Sequence, residues 1–382
     1  MALLPPRPEL AKELLDWSPG GGVLSVYLGV DPGDRGDGWR IELRDCVHEA
    51  LERLSDAEHE ERLGARATGE AVIDRFPEDA EPPPGRGQVG FVELTSDRGD
   101  REERWFSTQM APRRTQAAYG RRPYVRPLVE LLDDGRRVGV VAVSGERARL
   151  LEWELGQTTE VDDMEILTTG DWRERKGPRP VGRARGFTTS AGRDQHEQRL
   201  DDNKARFVHE VAARVEETRS RRGWAELLAF GEEEELAGMA ESVSVTSLRR
   251  FATNILNEDR TQIDARVREL IPGLNRDREM ALIERVENAM EAGGQGALGG
   301  QETAQALAEG RVAHLLIHAD RDLHGLGIER AFASGGGDPG ELPPGELLVE
   351  SALRTGSAVT AVEDEAAERL DRHGGVAAIL RY

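Results

Sequence analysis

Apolar positions along the chain recur with two periods, near 2 and near 3.6, and these mark out strands and helices in alternation. A helix-like start over residues 9–17 runs into the turn Ser18-Pro19-Gly20-Gly21-Gly22. Residues 23–30 are rich in Val and Leu and predict a strand. Residues 39–54 and 59–76 space their apolar side chains helically, with dense charge on the opposite face. Pro82, Pro83, Pro84 and Gly85 break the chain, and 88–94 and 104–110 predict two further strands joined by the turn-rich 96–100. A first α/β unit therefore closes near residue 120.

A second unit opens with strands over 137–143 and 148–155, separated by a turn around Ser144, Gly145 and Glu146. Residues 168–193 follow no period and are rich in Gly, Pro and Arg. A long helix is predicted from 197 to about 220, because Leu200, Phe207, Val208, Val211 and Val215 form one stripe of a 3.6-residue helix. Residues 224–230 predict a short buried strand, with Trp153, Trp224 and Phe230 as core, and Glu232, Glu233, Glu234 and Glu235 a solvated turn. The third unit reads as helices over 263–270, 276–291 and 302–309, a strand over 312–318, and a Gly/Pro loop over 334–345. It ends in strand 358–362, helix 363–372 and strand 376–382. The expected fold class is α/β, with three consecutive domains over 1–130, 131–262 and 263–382. Length alone, at roughly 150 residues per domain, expects two to three.

Composition narrows the function classes. The formal net charge is −21 and 38% of residues are apolar. A generic nucleic-acid-coating protein draws its affinity from a broadly basic surface, which this balance argues against, though not against one basic patch. A single cysteine, Cys46, makes neither an intramolecular disulfide nor a thiolate zinc cluster, and is expected to be a small buried residue. The apolar runs fall short of a bilayer span, and the N-terminus lacks the pattern of a signal peptide. The expectation is a soluble cytoplasmic protein without a membrane partner.

Most short motifs yield negatives. Gly325-Leu326-Gly327 lacks the rest of a dinucleotide fingerprint, and no P-loop pattern occurs. The eight histidines show no metal-ligand spacing, Ser25 and Ser144 sit in no nucleophile elbow, and no paired carboxylates have the metal-site spacing of an RNA-processing nuclease. No cofactor and no metal are expected. Residues 172–193 are the exception: Arg173, Arg175, Lys176, Arg179, Arg183, Arg185 and Arg193 oppose one acid, Glu174, a local charge of +6. Pro178, Pro180, Gly182 and Gly186 keep this segment from folding on itself. Its guanidinium groups suit phosphates, RNA first of all; a solvated surface loop is the other reading of the same composition.

At the level of whole segments the chain resembles the archaeo-eukaryotic class-1 peptide-chain release factors and Pelota, as represented by their shorter bacterial homologues. Residues 299–317, Gly-Gly-Gln-Glu-Thr-Ala-Gln-Ala-Leu-Ala-Glu-Gly-Arg-Val-Ala-His-Leu-Leu-Ile, are similar to the helix-then-strand signature of that family's third domain, which is L7Ae/L30-like. Residues 374–382, Gly-Gly-Val-Ala-Ala-Ile-Leu-Arg-Tyr, are similar to that domain's last strand. The central unit is similar to the second domain in its order of two strands, basic loop (172–195), long charged helix and buried strand. Leu24-Ser25-Val26-Tyr27-Leu28 resembles the first domain of the bacterial homologues.

The resemblance implies a translation factor shaped like a tRNA in the ribosomal A site, acting in hibernation, rescue or stress. Its basic loop would contact rRNA near the peptidyl-transferase centre. The implied partners are the 70S ribosome and rRNA, with a translational GTPase as a further candidate, and no DNA. In the release factors a Gly-Gly-Gln tip positions water at the peptidyl-tRNA ester. The matching position here is Gly192-Arg193-Asp194-Gln195: Gln195 is kept, while two charged residues replace the glycines. Peptidyl-tRNA hydrolysis through Gln195, with His196 beside it, is thus the alternative activity, and the expectation leans away from an enzyme. Two literal copies, Gly293-Gly294-Gln295 and Gly299-Gly300-Gln301, precede the third domain's helix without a basic flank and read as a helix cap and a turn. The Asn-Ile-Lys-Ser and Tyr-x-Cys-x-x-x-Phe motifs of stop-codon reading are missing, so codon recognition is not expected. A protein-interaction scaffold without ribosome binding is the remaining class.

Overall fold

The structure, a computed structural model, describes residues 8–31, 33, 38–52, 54, 58–77, 81–95, 101–166, 190–243, 248–334 and 343–382. Three sheets with flanking helices make the chain the α/β protein that its pattern predicts. Residue contacts divide it into two compact units, one of 1–135 with 269–382 and one of 136–268.

The first unit begins with α1 (Pro8–Leu15), β1 (Val23–Gly29), α2 (Gly38–Glu52), α3 (His59–Asp74), β2 (Gly87–Glu93), β3 (Glu103–Thr108), β4 (Gln116–Gly120) and α4 (Arg126–Asp134). Its sheet runs β3-β2-β1-β4, antiparallel throughout. Leu24, Val26 and Leu28 project from β1 onto Leu43 and Val47 of α2, the apolar stripe that the helical spacing of 39–54 forecasts. Two elements escape the sequence pattern. Strand β4 is half-buried along its length and so lacks alternation. Helix α4 is only nine residues long and opens with Pro127 in its first turn.

The second unit holds β5 (Val138–Val143), β6 (Arg147–Glu154), β7 (Gln157–Glu165), α5 (Ser190–Arg222), β8 (Leu227–Phe230), α6 (Glu233–Ser242) and β9 (Leu248–Phe251). Its sheet runs β7-β6-β5-β8-β9, with β5, β8 and β9 parallel and β6 and β7 antiparallel. Phe207, Val208, Val211 and Val215 of α5 pack on Val141, Val143 and Leu150, as the predicted stripe requires. Trp153, Trp224 and Phe230 are core. The four glutamates are not a turn: Glu232 N-caps α6 and the other three fill its first turn, where the helix dipole favours negative charge. Strand β7 was missed because its edge position leaves it polar, Glu160, Asp162, Asp163 and Glu165 included.

One helix, α7 (Arg260–Glu291), replaces the two predicted over 263–270 and 276–291. Pro272 lies inside it and leaves the carbonyl four residues earlier without its usual amide partner. Burial of Ile271 and Leu274 on either side of the proline keeps the helix running. The rest of the first unit follows as β10 (Gly296–Leu298), α8 (Gly300–Ala308), β11 (Val312–His318), α9 (Ile328–Ser334), α10 (Pro344–Thr355), β12 (Ala358–Val362), α11 (Asp364–Asp371) and β13 (Val376–Leu380). This sheet runs β10-β13-β11-β12, with β11 and β12 parallel. Ile283 and Val286 of α7 and Leu370 of α11 cover one face of it against Leu316 and Val362. Within 334–345, the described end of the predicted loop already belongs to α10, which starts at Pro344.

Candidate functional site

The basic arm is rooted in the second unit. Arg173, Arg175, Lys176, Arg179, Arg183 and Arg185 lie outside the described residues. Strand β7 leads into the segment and α5 leads out of it. At the entry, the Ile166 amide donates to the Glu146 carbonyl at 2.8 Å. Arg147 of β6 grips Asp163 through Nη2 and Nε at 2.8 and 3.2 Å, while Arg214 of α5 donates to Asp162 at 2.7 Å. Both sides of β7 are therefore tied just before the arm begins. The other end of the sheet is tied by Glu152, which is buried and accepts from Trp224 Nε1 at 2.7 Å and Arg222 Nη1 at 3.0 Å.

Gln195 and Arg193 lie within the backbone of α5, whose first residue is Ser190. The helix starts seven residues earlier than its apolar stripe indicates. Residues 190–196, Ser-Ala-Gly-Arg-Asp-Gln-His, contain no proline and one glycine, so nothing in them blocks a helix that the buried stripe further on has already secured. Gly192 to Gln195 is thus helical, where the sequence reading places it ahead of the helix.

The two literal Gly-Gly-Gln copies are structural. Gly293 and Gly294 have φ of +101° and +143° and end α7, and the Gln295 carbonyl accepts from the Leu380 amide at 2.9 Å. Gly299 has φ +87° and N-caps α8, a conformation that side chains with a β-carbon rarely adopt. Cys46 is half-buried rather than buried. Its Sγ donates to the Leu43 carbonyl at 3.3 Å, and desolvation pushes the thiol up to about 11. Among the described residues no group of three or more His, Cys, Asp or Glu could hold a metal ion, and no helix is long and apolar enough to cross a membrane.

The first unit carries a site that the sequence reading missed. A cleft of about 300 Å³ is walled by residues 113, 114, 116, 124, 126, 127, 130, 319–324 and 343–345, with Glu363. Beneath it, Glu346 of α10 is 1% exposed and caps α4, one carboxylate oxygen accepting from the Val125 amide at 2.8 Å and the other from the Arg126 amide at 3.3 Å. One turn on, Glu350 pairs with Arg122 at 3.0 Å. Arg126 donates through Nε to Glu130 at 2.9 Å and through Nη2 to the carbonyls of His318 and Ala319. Arg113 makes a bidentate pair with Asp134 at 2.7 and 2.8 Å, donates to the Ala361 carbonyl at 3.1 Å and lies 3.1 Å from Glu363.

Burial sets the electrostatics. Desolvation, with Glu350 nearby, pushes Glu346 up to about 8, against the two backbone amides that pull it down. Desolvation pushes Glu279, whose carboxylate accepts from the Glu363 amide at 3.0 Å, up to about 7. The same cause pulls His314, bonded to Thr360 at 2.8 Å, down to about 4. No sequence signal could have assembled this site, because its charges come from segments some 200 residues apart and each is an ordinary surface charge in its own segment.

Residues 123–261 match the family model described as bacterial archaeo-eukaryotic release factor family 10. No curated relative matches the chain. Among solved structures, the chain is similar to ribosome-bound archaeal Pelota and ABCE1, at 14% identity and TM-score 0.42, over 100% of this chain and 99% of that one. It is similar to Archaeoglobus fulgidus Pelota at 16% identity and TM-score 0.35, over 80% and 81% of the two chains. For the archaeal translation termination factor aRF1 the figures are 18%, 0.26, and 98% and 96%. The stretch that matches the family model contains both roots of the basic arm.

Proposed function

We propose, from the release-factor match over residues 123–261, that this protein is a ribosome-associated translation factor that occupies the A site like a tRNA, in hibernation, rescue or stress. The loop 172–195 reaches towards the peptidyl-transferase centre, and stop codons are not read. The division into domains 1–130, 131–262 and 263–382 belongs to this reading, each holding one sheet. Its partners are the 70S ribosome and rRNA in the cytoplasm, and a translational GTPase is the delivering factor to test.

Physical chemistry supports the arm as the RNA contact. Seven basic residues against one acid, in a chain of net charge −21, concentrate phosphate affinity in one segment. The acidic remainder opposes indiscriminate RNA binding. A helical backbone at Gly192 to Gln195, with Arg193 and Asp194 in place of glycines, supports binding over hydrolysis. Ester hydrolysis at a tight ribosomal site needs a glutamine free of neighbouring bulk.

Co-sedimentation with 70S ribosomes tests the reading. If all seven basic side chains meet phosphates, log affinity falls against log salt with a slope of roughly 5 to 6. Replacing the arm's arginines by alanine abolishes most of that slope. No sedimentation at low salt, or an unchanged slope in the alanine variant, would sink the proposal. Peptide release that depends on Gln195 would overturn its non-hydrolytic part.

A further inference from the structure

Residues 319–324 form one wall of the first unit's cleft and follow directly on the end of β11, where an imidazole holds their first turn. His318 Nδ1 accepts from two backbone amides, that of Asp320 at 3.0 Å and that of Arg321 at 3.1 Å. A ring nitrogen accepts only while it carries no proton, so the form that fits is the neutral tautomer with its proton on Nε2. Protonation turns Nδ1 into a third donor facing the other two, and both amides lose their acceptor. The His318 backbone is fixed independently of its ring. Its amide donates to the Gly375 carbonyl at 2.9 Å, and the next amide, of Ala319, to the Val362 carbonyl at 3.0 Å.

The groups around the ring oppose a second proton on balance. Burial, with Arg321 and Arg126 of α4 as neighbouring cations, holds the imidazole below its ordinary range against the pull of Asp371. Asp371 of α11 lies 3.8 Å from Nε2 and already accepts from Arg321 Nη1 at 2.6 Å. An imidazolium therefore competes with Arg321 for this carboxylate, which is the wall's second tie to the fold. Both effects have one sign: the wall in place binds the proton less tightly than the wall released, so acid favours release.

The moving part is short. Arg126 Nη2 grips the carbonyls of His318 and Ala319 at one end, and Leu323, 2% exposed, stays in the core at the other. Residues 320–322 lie between, with Asp320 in an ion pair with Arg114 across the cleft lining.

We propose that His318 is a proton-operated latch on this wall: the neutral ring holds residues 320–322 against the fold, and the imidazolium releases them and opens the cleft on that side.

Hydrogen exchange of the full chain, followed on a peptide covering 319–323 and corrected for the intrinsic pH dependence of exchange, tests this between pH 7.5 and 5. Protection of the segment is level at the upper end and falls about fivefold or more as the ring takes its proton, the least that loss of two hydrogen bonds brings. Protection of β11 and β13 does not fall with it. His318→Asn puts an acceptor, Oδ1, where Nδ1 stood and does not titrate in this range, so the dependence on pH disappears. His324, on the same wall, lies beside Asp322 and Glu329 instead, and His324→Gln leaves the fall in place. Native protection that stays level from pH 7.5 to 5, an equal fall in His318→Asn, or loss of the fall in His324→Gln would overturn the assignment.

Discussion

Glu346 makes the stability of the first unit depend on pH in the direction opposite to ordinary acid denaturation. Its carboxyl is held at about 8 against a usual 4.5, chiefly by burial. The folded state therefore binds this proton more tightly than the unfolded chain. The associated stability is present in full below pH 4.5 and is lost as pH rises through 8. At 1.36 kcal/mol per unit, the whole window is worth about 5 kcal/mol. The interval from pH 6.5 to 8 isolates the effect. There His314, pulled down to about 4 from 6.5, is neutral when folded and half protonated at pH 6.5 when unfolded, so it adds only about 0.4 kcal/mol, of the opposite sign. Glu346 alone then costs the fold about 2 kcal/mol across that interval. Glu279, at about 7, adds a smaller loss of the same sign.

Glu346→Gln keeps one acceptor for the Val125 amide and cannot ionise. Its stability at pH 8 should equal or exceed that of the native chain, and the loss between pH 6.5 and 8 should shrink to the Glu279 part. Urea unfolding at several pH values measures this. Pulsed hydrogen-exchange labelling of β1 and β11 at a fixed pH reads the first unit separately. Equal slopes in native and variant proteins would refute the assignment of the effect to this carboxyl.

Two further outcomes are expected. Arg113→Ala strips Asp134 and Glu279, both nearly fully buried, of their shared cation; the first unit should lose about 3–5 kcal/mol in urea unfolding, and a loss below 1 kcal/mol would contradict the geometry. Gly139→Ala puts a methyl 2.4 Å from Trp224 Cε3 and 2.8 Å from Leu227 Cδ1, both in the core. It should destabilise the second unit by about 1–3 kcal/mol in urea unfolding, lowering the midpoint with an unchanged slope.

Legibility followed the range of the forces. Strand β1, helices α2 and α3, the stripe of α5, and the closing β12, α11 and β13 were readable because each is a local period of apolar residues that buries one face. Strand β7 and helix α4 were not. The first is polar at a sheet edge, and the second is short and has its N-terminus capped by Glu346, more than 200 residues away. The break expected around residue 272 failed for a related reason: proline costs a helix about 3 kcal/mol, and burial of Ile271 and Leu274 offsets it.

The chain by itself determined the α/β class, the positions of most strands and helices, and the concentration of positive charge at residues 172–193. These rest on periodicity and composition, which any window of sequence carries. Only the tertiary structure decided that α7 is one helix, that Gly192 to Gln195 lie inside α5, that Arg113, Arg126 and Glu363 meet around a cleft, and that Glu346 caps α4. A charge acquires its pKa and its partners from what is packed against it. Those neighbours are set by long-range burial, on which the local pattern is silent.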